Sequence, residues 1–119
     1  LNCSQLVQHV LFQSGIFQMS ALKDIDNQEA NLCAEQRIPW QQAKNKVKPG
    51  DVVMLYALDN SHFIHTAIYH STSKDGTPKV VGTGFNQSTP RTHFSKIPED
   101  YMEDVYVVPL EAIMQKHMR

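Results

Sequence analysis

The sequence predicts an α+β fold in which N-terminal helices pack on an antiparallel sheet. Two observations carry this. Helical spacing dominates the chain before Pro49, and β-rich runs with turn signals dominate it afterwards. Two of those runs are joined by "SKDGTPK", a turn built on Asp75-Gly76, which makes them an antiparallel hairpin.

The helical half begins with "NCSQLVQHVLFQSG". Cys3, Leu6, Val7, Val10, Leu11 and Ser14 follow the spacing of one helix face, with Asn2 as N-cap and Gly15 just past the end. A second helix is expected from Asn27 to Arg37, with Ala30, Cys33 and Ala34 on one face, stopped by Pro39. A helical turn from Gln41 to Lys46 follows. Pro49-Gly50 then turns the chain into an apolar strand from Val52 to Leu58, with Asp51 as a hydrogen-bond acceptor in the turn. "HFIHTAIYHS" and "KVVGTGF" are the hairpin strands. A looser segment holds Pro90 and Pro98, and the strand "EDVYVVPL" and the terminal helix "EAIMQKHM" close the chain.

The bulk numbers set limits. At 119 residues the chain is a single domain, 1–119, and 41% hydrophobic with 19% charged residues is globular composition. A net charge of −1 gives no bulk attraction to nucleic acid or to an anionic membrane. No apolar run reaches the roughly 18 residues that span a bilayer. The chain opens on Leu1 without a signal-peptide pattern, so a fragment or processed form is expected. Two cysteines do not form a disulfide framework, and Cys3 is expected to be free.

Cys3 stands at the head of the first helix. A helix N-terminus carries roughly half a positive charge and unsatisfied N–H groups, both of which favour a thiolate. Reactive cysteines at such positions have pKa values of about 3.5–7.5. The bland alternative is a small buried hydrophobe. Chemistry at Cys3 needs a base.

Of the six histidines, His9 points away from Cys3 on the same helix, and His93 and His117 read as solvated. His62, His65 and His70 crowd into one β-rich run. On a strand, His62 and His65 face opposite ways, and His62 and His70 lie roughly 26 Å apart at about 3.3 Å per residue, so no metal site is expected. His65 shares its face with Ala67 and Tyr69. A small residue at 67 would let a helix approach where the imidazole projects, the geometry of a Cys–His pair. The alternative is a histidine that fills a helix–sheet interface.

These segments resemble those of a known family. "NCSQLVQHVLFQSG" resembles the Cys-bearing helix of the NlpC/P60 papain-like cysteine peptidases, "KPGDVVML" is similar to their Pro-Gly-Asp strand, and "HTAIYHS" to their His-bearing strand. The three occur in the family's order, and the compact peptidoglycan amidases that bacteria deliver into rival cells are the nearest in flavour. The resemblance implies a papain-like NlpC/P60 fold with Cys3 as nucleophile and His65 as general base and acid. It implies a third polar residue on the next strand that orients the imidazole. A hairpin turning about Asp75-Gly76 puts Asn86 opposite His65, with Gln87 or Thr83 as alternatives after a register slip.

The expected function is therefore amide-bond hydrolysis by a cysteine peptidase or amidase, without cofactor or metal, on peptidoglycan stem peptides. The expected partners are a peptide or peptidoglycan substrate and a cognate inhibitor or immunity protein. The expected location is secreted, or delivered by a bacterial secretion system into a target periplasm or host cell as a toxin. Two alternatives are carried. One is an effector protease, deamidase or acyltransferase acting on host proteins. The other is an inactive interaction module on the same fold, favoured by Gln5, Thr66 and Ala67 standing where the family has other residues.

Overall fold

A computed structural model describes residues 3–23, 27–56, 63–82, 93–96 and 105–118, with residues 3–4, 63–64 and 93–96 described by their backbone. Helix α1 spans Cys3–Gln13. Its end is a Schellman motif. Gly15, at φ +79°, donates to Phe12 O at 3.0 Å, and Ile16 N donates to Leu11 O at 2.9 Å. The buried face is turned slightly from the expected one. Val7, Gln8 and Leu11 are buried, whereas Val10 is 37% exposed and Ser14 lies in solvent. Asn2, the expected cap, lies outside the described residues.

Between α1 and the sheet the chain is less regular than its spacing predicts. A short α2, Met19–Lys23, precedes α3, Gln28–Asn31. The single helix expected over 27–37 is broken at Cys33, which takes a left-handed φ of 56° before a 3-10 turn, Ala34–Gln36. The physical reason is burial. Leu32, Cys33 and Ala34 are all buried in succession, and three consecutive α-helical residues spread over too wide an arc to face one core. Strand β1, Ile38–Pro39, leads into α4, Trp40–Ala43, whose turn continues to Lys46.

Strands β2 (Val52–Tyr56), β3 (Phe63–Thr72), β4 (Pro78–Gly82), β5 (His93–Lys96) and β6 (Val105–Val108) follow, then α5, Leu110–His117. They form one antiparallel sheet in the order β1-β6-β2-β3-β4-β5. His93, expected in a loop, pairs with Gly82 in β5, because β4 offers an open edge to the short run between the two prolines. Among the described residues no helix is long and apolar enough to cross a membrane.

Every residue of β2 is buried, so the sheet is covered on both faces. On one face Val52, Met54 and Tyr56 join Val108, Val7 and Leu11 of α1, and Ala112 and Ile113 of α5, with Ile68 packed against them. On the other, Val53, Leu55, Ala67, Tyr69, Val80, Val105 and Val107 pack with Trp40 and Ala43.

The β3–β4 hairpin is longer in its loop than a tight turn about Asp75-Gly76. Thr72 pairs with Pro78, leaving Ser73–Thr77 as a five-residue loop closed by Ser73 N to Thr77 O at 2.8 Å, with Asp75 Oδ1 accepting from Thr77 Oγ1 at 2.7 Å. His70 is then bulged out between Tyr69 and Ser71, and Ile68 pairs with Val81. A tight turn would have paired Ile68 with Thr83. The described register is therefore two residues away from the one that sets Asn86 opposite His65.

Asp51 does more than close its turn. Its Oδ2 accepts from Lys48 N at 2.9 Å and its Oδ1 from Leu110 N at 2.8 Å, the first amide of α5. The side chain is buried, so both bonds are worth more than at the surface. Asp51→Ala is expected to cost about 2 kcal/mol by removing the acceptor of two part-buried amides, and Asp51→Asn, which keeps one acceptor oxygen, to cost less. Urea unfolding midpoints check this, and an unchanged midpoint for the alanine variant counts against the role.

Candidate active site

Cys3 is the first residue of α1, an eleven-residue helix. Its backbone thus stands where the helix dipole and free N–H groups concentrate positive potential. Its thiol lies outside the described side chains. Helix α1 lies against β3 and, over a shorter stretch, β4. The element carrying the expected nucleophile and the element carrying the expected base are therefore packed together.

His65 is the third residue of β3 and only 7% exposed. Burial pushes its imidazole down from the ordinary 6.5 to about 4, because the charged form loses hydration in the interior. The ring is neutral at neutral pH and can accept a proton, but a pKa of about 4 makes it a weaker base than an ordinary histidine.

The face of β3 from which His65 projects differs from the expectation. His65 pairs with Leu55 and Ala67 with Val53, and paired residues on antiparallel strands share a face. That face packs with Trp40 and Ala43. The buried residues of α1, Val7 and Leu11, instead share a core with Val52, Met54 and Ile68 on the other face. The helix does not approach over Ala67. The small side chain at 67 serves a different contact, since a Cβ placed on Gly82 of the neighbouring strand would stand 3.0 Å from Ala67 Cβ. Larger aliphatics line the other face and give the Val–Leu stripe of α1 its floor.

Asn86, Gln87 and Thr83 lie outside the described residues, as does His62. His9 is exposed, as expected, with Nε2 3.2 Å from Gln13 Nε2, and His70 is exposed beside Ser71 Oγ at 2.9 Å. His117 is not solvated as expected. Its Nε2 donates to Asn31 O at 2.7 Å and its ring lies 4.4 Å from that of Phe17, which fastens the end of α5 to the N-terminal helices. Cys33 is a free, buried thiol whose pKa is raised, first by burial and then by Glu35.

Trp40 and Tyr56 are both core residues. The Trp40 indole donates to Gly76 O at 3.3 Å. Tyr56 donates to Glu29 Oε2 at 2.8 Å and meets Tyr106 edge-on at 5.6 Å between ring centroids. The Arg37 guanidinium lies over both rings, 4.3 Å and 5.2 Å from their centroids. Burial, then the Glu29 hydrogen bond, raises the Tyr56 phenol. No spacing in the sequence points to this cluster, because its four members come from four separate segments. Among the described residues no group of three or more His, Cys, Asp or Glu side chains stands together as a metal site would require.

No protein-family model, no curated protein and no solved structure matches the chain.

The neutral burial of His65 makes stability pH-dependent. In the unfolded chain the imidazole protonates as pH falls through about 6.5, whereas in the fold it stays neutral down to about 4. The unfolded state binds more protons between those values, so stability falls as pH drops through that window, by on the order of 3 kcal/mol in all. His65→Gln is expected to flatten this part of the profile. Denaturant titrations at intervals from pH 7 to pH 4 check it, and parallel slopes for the two proteins would contradict it.

Proposed function

We propose that the chain is a cysteine hydrolase of the NlpC/P60-like, papain-fold type, cleaving amide bonds in peptidoglycan stem peptides. The observation that carries this is the position of Cys3 as the first residue of α1, a helix packed along the strand that bears the neutral imidazole of His65. The order of motifs along the chain supports the same reading.

In this reading His65 takes the thiol proton and the sulfur attacks the carbonyl carbon, forming the C–S bond of a tetrahedral oxyanion. Amides at the head of α1 stabilise that oxygen. The imidazolium gives its proton to the leaving nitrogen as the C–N bond breaks. A water molecule, losing its proton to His65, then hydrolyses the acyl-enzyme. The residue that orients the ring would be Asn86, Gln87 or Thr83, and the register of β4 moves Asn86 off the position directly opposite His65. The reading requires the thiol to reach His65 past the edge of the helix–sheet contact, since the body of α1 covers the opposite face. Delivery into a target periplasm, with an immunity protein as partner, belongs to the same proposal. Action on host proteins is the alternative if cell wall is not cut.

A second reading has its own observation. His65 projects among Leu55, Ala67 and Val53, away from the core of α1, as expected of a histidine that serves packing. On that reading the domain is an inactive interaction module.

Iodoacetamide at neutral pH distinguishes the two. The hydrolase reading expects Cys3 to be alkylated more than about tenfold faster than Cys33, whose buried thiol has a raised pKa. Cys3→Ala and His65→Ala should each lower release of muropeptides from purified sacculi about a hundredfold or more, with circular dichroism unchanged. Slow, equal labelling of both cysteines with no fragment released would leave the interaction module.

A further inference from the structure

Strands β3 and β4 are drawn together tightly at one point. Val80 pairs with Tyr69 and Val81 with Ile68, so Gly82, the last residue of β4, comes opposite Ala67. Opposed residues of an antiparallel pair ordinarily keep their Cβ atoms about 4.5–5.5 Å apart. A Cβ on Gly82 would stand 3.0 Å from Ala67 Cβ, 3.4 Å from Ala67 Cα and 3.7 Å from Thr66 O. Two of those three are backbone atoms, which cannot swing aside as the tip of a side chain can. A residue without a side chain is what lets β4 lie this close.

The tight point is next to His65. Ala67 is the following residue on the face of β3 that His65 shares, and the two pair with Val53 and Leu55 of β2. Val80 and Gly82 continue the same buried row on the β4 side. Beyond them β5 takes up the other edge of β4, with His93 paired to Gly82. Gly82 is thus an interior position of the sheet, one row from the imidazole.

From this placement we infer that Gly82 is a positioning residue for His65, letting β4 close against Ala67 and so keeping the neighbouring imidazole enclosed. A side chain at 82 would spread β3 from β4 beside the ring and admit water, which favours the charged form. The depressed pKa of His65, about 4, agrees with that enclosure. Calling the ring a base rests on the hydrolase reading, whereas its enclosure by Gly82 does not.

A ring-proton NMR titration of the whole chain reads His65 directly, with His65→Gln to assign the signal, and it needs no turnover. Gly82→Ala should raise the His65 midpoint toward 6.5 by about half a unit or more, and adding Ala67→Gly, which clears the contact from the β3 side, should return it. Ala67→Val crowds the same contact from β3 and should raise the midpoint too. Ile113→Val thins the core on the opposite face of the sheet; as the control for lost stability alone, it should leave the midpoint at the parent value. A midpoint unmoved in both Gly82→Ala and Ala67→Val, one that Ala67→Gly fails to restore, or one that Ile113→Val shifts equally would each overturn the proposal. Slow alkylation of Cys3 together with the expected His65 shifts would support it and remove the hydrolase reading alone.

Discussion

The buried carboxylate of Asp51 is the constraint on which most of the arrangement depends. It sits at the first bend into the sheet and holds two amides 62 positions apart, Lys48 N and Leu110 N. Its backbone is tied as well. Tyr69 N donates to Asp51 O at 2.8 Å, and Gly50 N donates to Tyr69 O at 3.0 Å. The start of β2, the middle of β3 and the head of α5 are therefore fixed to one another at a single residue. Gly50 makes this possible, because its φ of +97° suits a residue without a Cβ, and a Cβ there would stand 3.3 Å from Leu110 Cδ2. Once α5 is set in this direction, Ala112 and Ile113 enter the same core as Val7 and Leu11. The far end of α5 is fastened separately, through His117 to Asn31 O and Lys116 Nζ to Ala30 O.

Burial on both faces of the sheet governs what chemistry the molecule can perform. A strand covered on both sides sends alternate residues into two separate cores, and side chains in different cores do not meet. Thr66 illustrates the cost of a polar residue in such a strand. It is fully buried, and its hydroxyl donates to Val53 O at 3.0 Å to recover the lost hydration. His65, one residue earlier, meets the same low-dielectric surroundings by staying neutral. That neutrality leaves the ring able to accept a proton, as a weak base, and is also what a packed core residue shows, so the reach of Cys3 is the feature that separates an enzyme from a module.

The irregular segment between α1 and β2 is held by contacts of a different kind. The Arg37 guanidinium over Tyr56 and Tyr106, with Glu29 accepting from the Tyr56 hydroxyl, joins the end of that segment to the sheet by cation–π and charge-assisted bonds. The left-handed Cys33 lets Leu32 and Ala34 both face inward, a strain that three successive buried side chains offset. Short helices in this stretch would not survive alone, and tertiary contact is what stabilises them.

The sequence by itself determined what local forces control. Gly15 ends α1, Pro49-Gly50 begins the sheet, Asp51 is an acceptor in its turn, and antiparallel strands follow the helices, because caps, turns and periodicity act over a few residues. It also placed Cys3 at a helix head and His65 on a strand. Only the tertiary structure decided which face of β3 α1 would cover, that Ala67 makes room for β4 rather than for a helix, that a bulge at His70 shifts the hairpin register, and that His117 would lock onto Asn31. Those outcomes depend on which distant surfaces fit together once both faces of the sheet must be buried, and a pattern read along one strand is identical for either face.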